Sequence, residues 1–250
     1  MKRVLLASLL ATGCRLVSTD DGPGPGPMTP PPDGTARPYQ GEIDLGAGGI
    51  TAIFTNVGGI PQFCDTGRLE GSCCLAPPAD VPDGTSYVDA GPLTISNVTT
   101  GQSGTAMFDP NQQSYGALAP LPVWTTGDSV EVYAAGATVA TFVAETSIPA
   151  PVTGLAVSPF APSGARVTWT PGDSGILEIR ITGTQGVVTC RPQDSSGTLA
   201  LGPAELNTLG QGLVQVDVVR KNIEPASTGA LINVVGQTSA GVATTVSLTN

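Results

Sequence analysis

Arg166-Val167-Thr168-Trp169-Thr170, Pro171-Gly172-Asp173-Ser174-Gly175 and Ile176-Leu177-Glu178-Ile179-Arg180-Ile181-Thr182 form one continuous stretch. Its first part alternates, with Val167 and Trp169 on one face. A turn of Pro, Gly, Asp and Ser follows. The third part alternates again, with Leu177, Ile179 and Ile181 on one face and Glu178, Arg180 and Thr182 on the other. Period-two patterning on both sides of a turn predicts two strands with one dry face each.

Outward from this pair, the C-terminal half continues in the same way. Val187 to Cys190, Leu213 to Arg220, Ala230 to Val235 and Val242 to Leu248 read as further strands. Pro203 to Leu209 is the one segment that reads as a helical turn. A strand every dozen residues or so, with a buried tryptophan near the start, predicts an immunoglobulin-like sandwich over 150–250. The preceding segment, 39–149, has similar strand spacing: Glu42 to Leu45, Thr51 to Asn56, Leu93 to Val98, Gly104 to Phe108, Tyr115 to Leu118, Val130 to Ala134 and Thr138 to Val143. The stretch Gly59 to Ser86 carries no strand pattern and reads as a loop. Ile148-Pro149-Ala150-Pro151 reads as the joint between the two halves. The expected fold is therefore all-β, two immunoglobulin-like β-sandwich domains.

Composition agrees. There are 33 glycines and 23 prolines in 250 residues, and only 12% are charged against a usual value of about 25%. That favours turns and short strands over helices. A net charge of −10 argues against binding to phosphate backbones, so nucleic acid is excluded as a partner. No histidine occurs anywhere, which removes the Ser-His-Asp and Cys-His arrangements and the commonest metal ligand. The expectation is a non-enzyme without catalytic residues, metal or cofactor. The alternative class is a glycosidase-like hydrolase working through carboxylates alone.

The first residues supply an address. Lys2 and Arg3 precede a short apolar run, Val4 to Leu10, and Ala11-Thr12-Gly13 leads directly to Cys14. The run is too short to span a bilayer and reads as an export signal. Residues 15–38 are rich in Pro and Gly and read as an extended linker. Ala-Thr-Gly-Cys resembles the lipobox of bacterial lipoproteins, which implies cleavage after residue 13 and lipid on Cys14. Arg15, rather than aspartate, follows the cysteine, which in such lipoproteins implies the outer membrane. The organisation expected is signal 1–13, linker 14–38 and modules 39–149 and 150–250. Plain secretion without lipid is the alternative.

A wider resemblance rests on a series of motifs: a cysteine, Gly-Ser-Cys, then Asp-Ala-Gly-Pro-Leu-Thr-Ile-Ser, Gly-Asp-Ser-Val-Glu-Val-Tyr-Ala-Ala-Gly and Val-Thr-Trp-Thr. In this order they resemble envelope lipoproteins of high-GC Gram-negative bacteria, myxobacterial ones especially. The resemblance implies a lipid-anchored envelope protein at the outer membrane or cell surface, whose partners are the membrane, through Cys14, and an envelope protein or polysaccharide. It implies no activity.

The remaining candidates are few. Cys64, Cys73, Cys74 and Cys190 are disulfide candidates in an oxidising compartment, and four cysteines allow three pairings. Cys64 with Cys73 or Cys74 is favoured, because it would clip an otherwise strandless loop, leaving Cys190 as a buried thiol. A zinc site has neither the paired spacing nor a histidine. Arg68, inside the clipped loop, could present itself to a protease. Asp80, Asp83 and Asp89 could offer oxygen ligands to calcium but lack its usual loop order. Asp128 and Glu131 fall on opposite faces of a strand, so they are expected not to work as a pair.

Overall fold

The computed structural model describes residues 39–46, 49–55, 63–64, 67–77, 87–117, 120–173, 175–226 and 231–246. It is an all-β sandwich fold with one short α-helix and one 3-10 turn among the described residues, and residues 37–250 form a single compact unit. The signal and linker expectations, including Cys14, lie outside the described residues, as do Asp80 and Asp83.

Two strands organise the rest. β15 (Gly212–Pro225) and β16 (Leu231–Val246) pair antiparallel from Gly212↔Val246 to Pro225↔Asn233. At one end, β1 (Gln40–Gly46) lies parallel to β16, and β2 (Gly49–Thr55) closes that edge. At the other end follow β12 (Ile176–Thr182), β13 (Val187–Cys190), β4 (Cys73–Ala76) and β3 (Arg68–Glu70), giving the eight-stranded order β2-β1-β16-β15-β12-β13-β4-β3.

Successive residues of a strand face opposite sides, so the even-numbered residues of β15 and β16 share one face. Ile232 and Val234 on that face join a first core with Ile43, Leu45 and Phe54. Val214, Val216, Val218 and Val246, on the same face further along, join a second core with Val167, Trp169, Leu177 and Ile179. A five-stranded sheet covers the first core in the order β7 (Ser114–Ala117), β6 (Gln102–Asp109), β5 (Leu93–Asn97), β8 (Ser129–Ala134), β9 (Phe142–Ser147). The second core is covered by β10 (Ala156–Val157), β11 (Ala165–Thr168) and β14 (Thr198–Leu201), with α1 (Pro203–Leu209) supplying Leu206 and Leu209.

This differs from two modules in series at 39–149 and 150–250. Cys73 and Leu75, from the first half, belong to the second core, while Ile232 and Val234, from the second half, belong to the first. The second exchange follows from the length of the hairpin, which serves both cores; the first follows from the pairing of β4 with β13 and the bond between Cys73 and Cys190. The segments expected at Ala230–Val235 and Val242–Leu248 are correspondingly one strand. The Gly59–Ser86 loop contains β3 and β4, and the strand expected at Thr138–Val143 lies at Phe142–Ser147.

Between the cores, the chain from Thr146 to Pro151 crosses the hairpin on a polar seam. Thr146 Oγ1 donates to the Asn222 carbonyl (3.0 Å), and Asn222 Nδ2 donates to the Ser147 carbonyl (3.1 Å). Thr238 Oγ1 donates to the Ala150 carbonyl (2.9 Å), and Arg220 Nη1 to the Pro151 carbonyl (2.7 Å). The crossing is close: a Cβ on Gly236 would stand 2.3 Å from the Ser147 carbonyl oxygen, so only glycine fits there.

Arg220, 3% exposed, is the deepest charge of the seam. Its Nε and Nη2 hold the Asp194 carboxylate at 2.9 and 3.0 Å, and Nη2 also donates to the Thr170 carbonyl. Trp169 Nε1 donates to Asp194 Oδ1 (3.0 Å), completing the network beneath the second core. Removing one partner of such a pair leaves the other charge buried without compensation. Arg220→Ala is therefore expected to lower unfolding stability by about 3–5 kcal/mol in urea titration. The double variant Arg220→Met with Asp194→Leu should lose less than Arg220→Ala alone, because it leaves no charge behind.

Candidate functional site

β2 and β7 are the edge strands of two different sheets, and a groove of about 430 Å³ lies between them. Ile50 to Ile53 form one wall, Gln112 to Tyr115 the other, and Tyr87 lies at one end. The direction of the β2 backbone can be read from a single bond. Phe54 lies opposite Gly41 on β1, yet its carbonyl accepts from Val88 N (2.9 Å), on the other side. Backbone groups alternate along a strand, so the N–H and C=O groups of Ala52 and Ile50 also point away from β1, into the groove. An isolated bridge, Thr55↔Tyr87, covers the end of β2. Among the described residues no strand pairs with β2 beyond it at Ile50 and Ala52.

The opposite wall comes from the turn between β6 and β7. Asp109 Oδ1 accepts from Asn111 N (2.8 Å) and Gln112 N (3.3 Å), and Gln113 takes a left-handed backbone at φ 54°. This folds the turn so that both glutamines flank the groove. Tyr115 is fixed beneath them: its ring packs edge-on against Phe54 at 5.6 Å, and its hydroxyl accepts from Ala90 N (2.7 Å) and donates to Asp89 Oδ1 (3.2 Å). Burial pushes the phenol pKa up, so Tyr115 stays a neutral hydroxyl. The groove thus offers backbone groups, amides and hydroxyls, and its lining contains no nucleophile–base pair.

All four candidate cysteines are joined, as Cys64–Cys74 and Cys73–Cys190. The expected clip is present through Cys74. The expectation of a buried thiol at Cys190 is corrected: Cys73 and Cys190 face each other across β4 and β13 on the core side, while Cys74 faces the reverse side, where Cys64 meets it. Opposite directions along one strand separate the adjacent cysteines into two bonds.

Arg68, in the clipped hairpin, has a 67% exposed side chain and a 3.6 Å ion pair with Glu70. Gly71 and Ser72 form the turn of the β3–β4 hairpin, so Glu70 and Cys73 are a hydrogen-bonded pair, and so in turn are Arg68 and Leu75. The Arg68 amide and carbonyl are thus directed at Leu75. A protease reading an extended strand through its backbone would find them occupied, which weighs against the protease reading.

The other candidates are separated. Asp128 accepts from Thr125 N (2.7 Å) and Asn97 Nδ2 (3.0 Å); the Thr125 amide first, then Asn97, hold its carboxyl below the usual range. It fixes a turn, while Glu131 lies on the outer face of β8, opposite Glu145 of β9. Asp89 is engaged by Gly91 N and Tyr115, and no group of three metal-ligating side chains is present among the described residues. Trp124 Nε1 donates to the Gly46 carbonyl (3.0 Å), a packing role.

A charge cluster on the reverse face of the eight-stranded sheet had no signal beyond alternation. Glu178 joins Arg191 (2.8 Å) and Lys221 (3.4 Å); burial raises its carboxyl, but the two cations more than offset this and its pKa is lowered. Asp44 fares differently. Burial first, then neighbouring Glu42, push it up to about 6, and its Oδ1 has no hydrogen-bond partner. No protein-family model matches this sequence, and a search of curated proteins finds no match.

A carboxyl whose pKa is higher in the folded chain binds its proton more tightly there. Its contribution is complete below the unfolded pKa near 4 and is lost as pH rises through about 6. Asp44→Asn should therefore raise the melting temperature at pH 8 and leave it nearly unchanged at pH 4, in thermal unfolding followed by circular dichroism.

Proposed function

We propose that this is an exported envelope protein, anchored by lipid on Cys14 at the outer membrane or cell surface, whose work is binding. The observation that carries the export reading is the pairing of cysteines. Of five in the chain, four close two disulfides, which persist in oxidising compartments, and Cys14 is the one left over. It stands directly after the short apolar run, where a lipoprotein is acylated. Residues 15–38 then act as a spacer between the lipid and the folded unit. The immunoglobulin-like character of the sandwiches and the kinship with myxobacterial-type lipoproteins belong to the same reading.

Binding is supported by the groove between β2 and β7, which presents neutral donors and acceptors rather than catalytic groups. The partner is an envelope protein or polysaccharide. A carboxylate-dependent hydrolase has one feature in its favour, since Glu131 and Glu145 stand directly opposite on β8 and β9. They lie on the outer face of a sheet, with Glu145 exposed, whereas glycoside hydrolysis needs a site that encloses the sugar.

Cys14→Ala is expected to move the protein from the detergent phase to the aqueous phase on Triton X-114 partitioning. Unchanged partitioning would remove the anchor from the account.

A further inference from the structure

We infer that the β2–β7 groove takes an extended, lysine- or arginine-bearing polypeptide segment by adding it as a strand to the edge of β2. The inference deepens the binding function proposed above and rests on it. A peptide binds a sheet edge through its backbone, which requires unpaired N–H and C=O groups at strand spacing. Ile50 and Ala52 direct such groups into the groove, and the Val88–Phe54 bond shows the neighbouring position on the same edge already used in this way. Gln112 and Gln113, across the groove, can meet the far edge of the added strand with side-chain amides.

The charge of the partner follows from its surroundings. No lysine or arginine occurs between Arg68 and Arg166, so the five-stranded sheet and its turns carry no cation. On the other side of the groove, Thr51 and Ile53 are paired with Asp44 and Glu42 of β1, so these two carboxylates share a face with alternate residues of an added strand. Strands are spaced about 4.8 Å apart, which places that face of the added strand about two spacings from β1, within reach of a lysine or arginine side chain. A polysaccharide would instead need open aromatic faces. The ring of Tyr115 is occupied by Phe54 and Phe108, which leaves Tyr87 alone on the groove.

The probe is an acetylated, amidated octapeptide alternating lysine with valine or threonine, added to the full chain and read by hydrogen exchange and calorimetry. Slowed exchange at the Ile50 and Ala52 amides is expected. Replacing every lysine with glutamate should weaken affinity at least tenfold. N-methylation of alternate peptide residues should abolish binding in one parity and leave it within threefold in the other, since only one edge of the added strand meets β2. Ala52→Pro removes an amide that β1 does not use and should lose binding; because it could disturb the core, the N-methyl series stands as the independent arm. Equal effects of both parities, or equal affinity of the glutamate peptide, would overturn the inference. So would protection of these amides by a neutral glucan hexasaccharide but not by the peptide, which would leave the broader binding function standing. No change with either probe would overturn both the inference and the groove as the contact site.

Discussion

Arg220 sits where one hairpin passes from one core to the next, and its position explains the arrangement of the chain around it. Val214, Val216 and Val218 precede it on the same face of β15, and Ile232 and Val234 lie beyond it on β16. A continuous apolar stripe would merge the two cores into one long sandwich. A guanidinium interrupts the stripe, and burying it requires hydrogen bonds on every side. Asp194, Thr170 and Pro151 provide them, from three segments that the bond from Thr170 N to the Thr153 carbonyl and the Trp169–Asp194 bond also hold together.

The rest of the architecture follows. The crossing at Thr146–Pro151 is held by polar side chains of the hairpin, so the five-stranded sheet is attached to the same scaffold as the second core. The Cys73–Cys190 bond attaches β4, and through it β3, to the far edge. At the opposite edge, β2 ends the large sheet beside β7, the end of the smaller one. Two sheets that end side by side leave backbone groups facing a shared groove, and an edge of this kind invites another strand. The groove is in this sense a by-product of how the sheets terminate.

Alternation made much of the scaffold legible. Leu177, Ile179 and Ile181, the Val167–Trp169 face and the helical turn at Pro203–Leu209 all stand where the sequence places them. β4 was hidden because Cys73, Cys74 and Leu75 are buried in succession on both faces, which erases the period. β16 was divided in two by Gly236 and Gly241 and by the polar residues between them. Pairing with β15 overrides that local signal, and Gly236 is there to admit the crossing chain, not to end a strand. The groove had no sequence signal, because its walls come from strands far apart in the chain. Asp44 carries no sequence signal, because its pKa depends on burial and on Lys221 and Glu178, which lie far along the chain, as well as on neighbouring Glu42.

If one hairpin serves both cores, the folded unit should unfold as one. Differential scanning calorimetry of the disulfide-intact protein tests this most directly. The account predicts a single transition whose calorimetric and van't Hoff enthalpies agree. Two resolved transitions, or a calorimetric enthalpy near twice the van't Hoff value, would show two independent modules and contradict it.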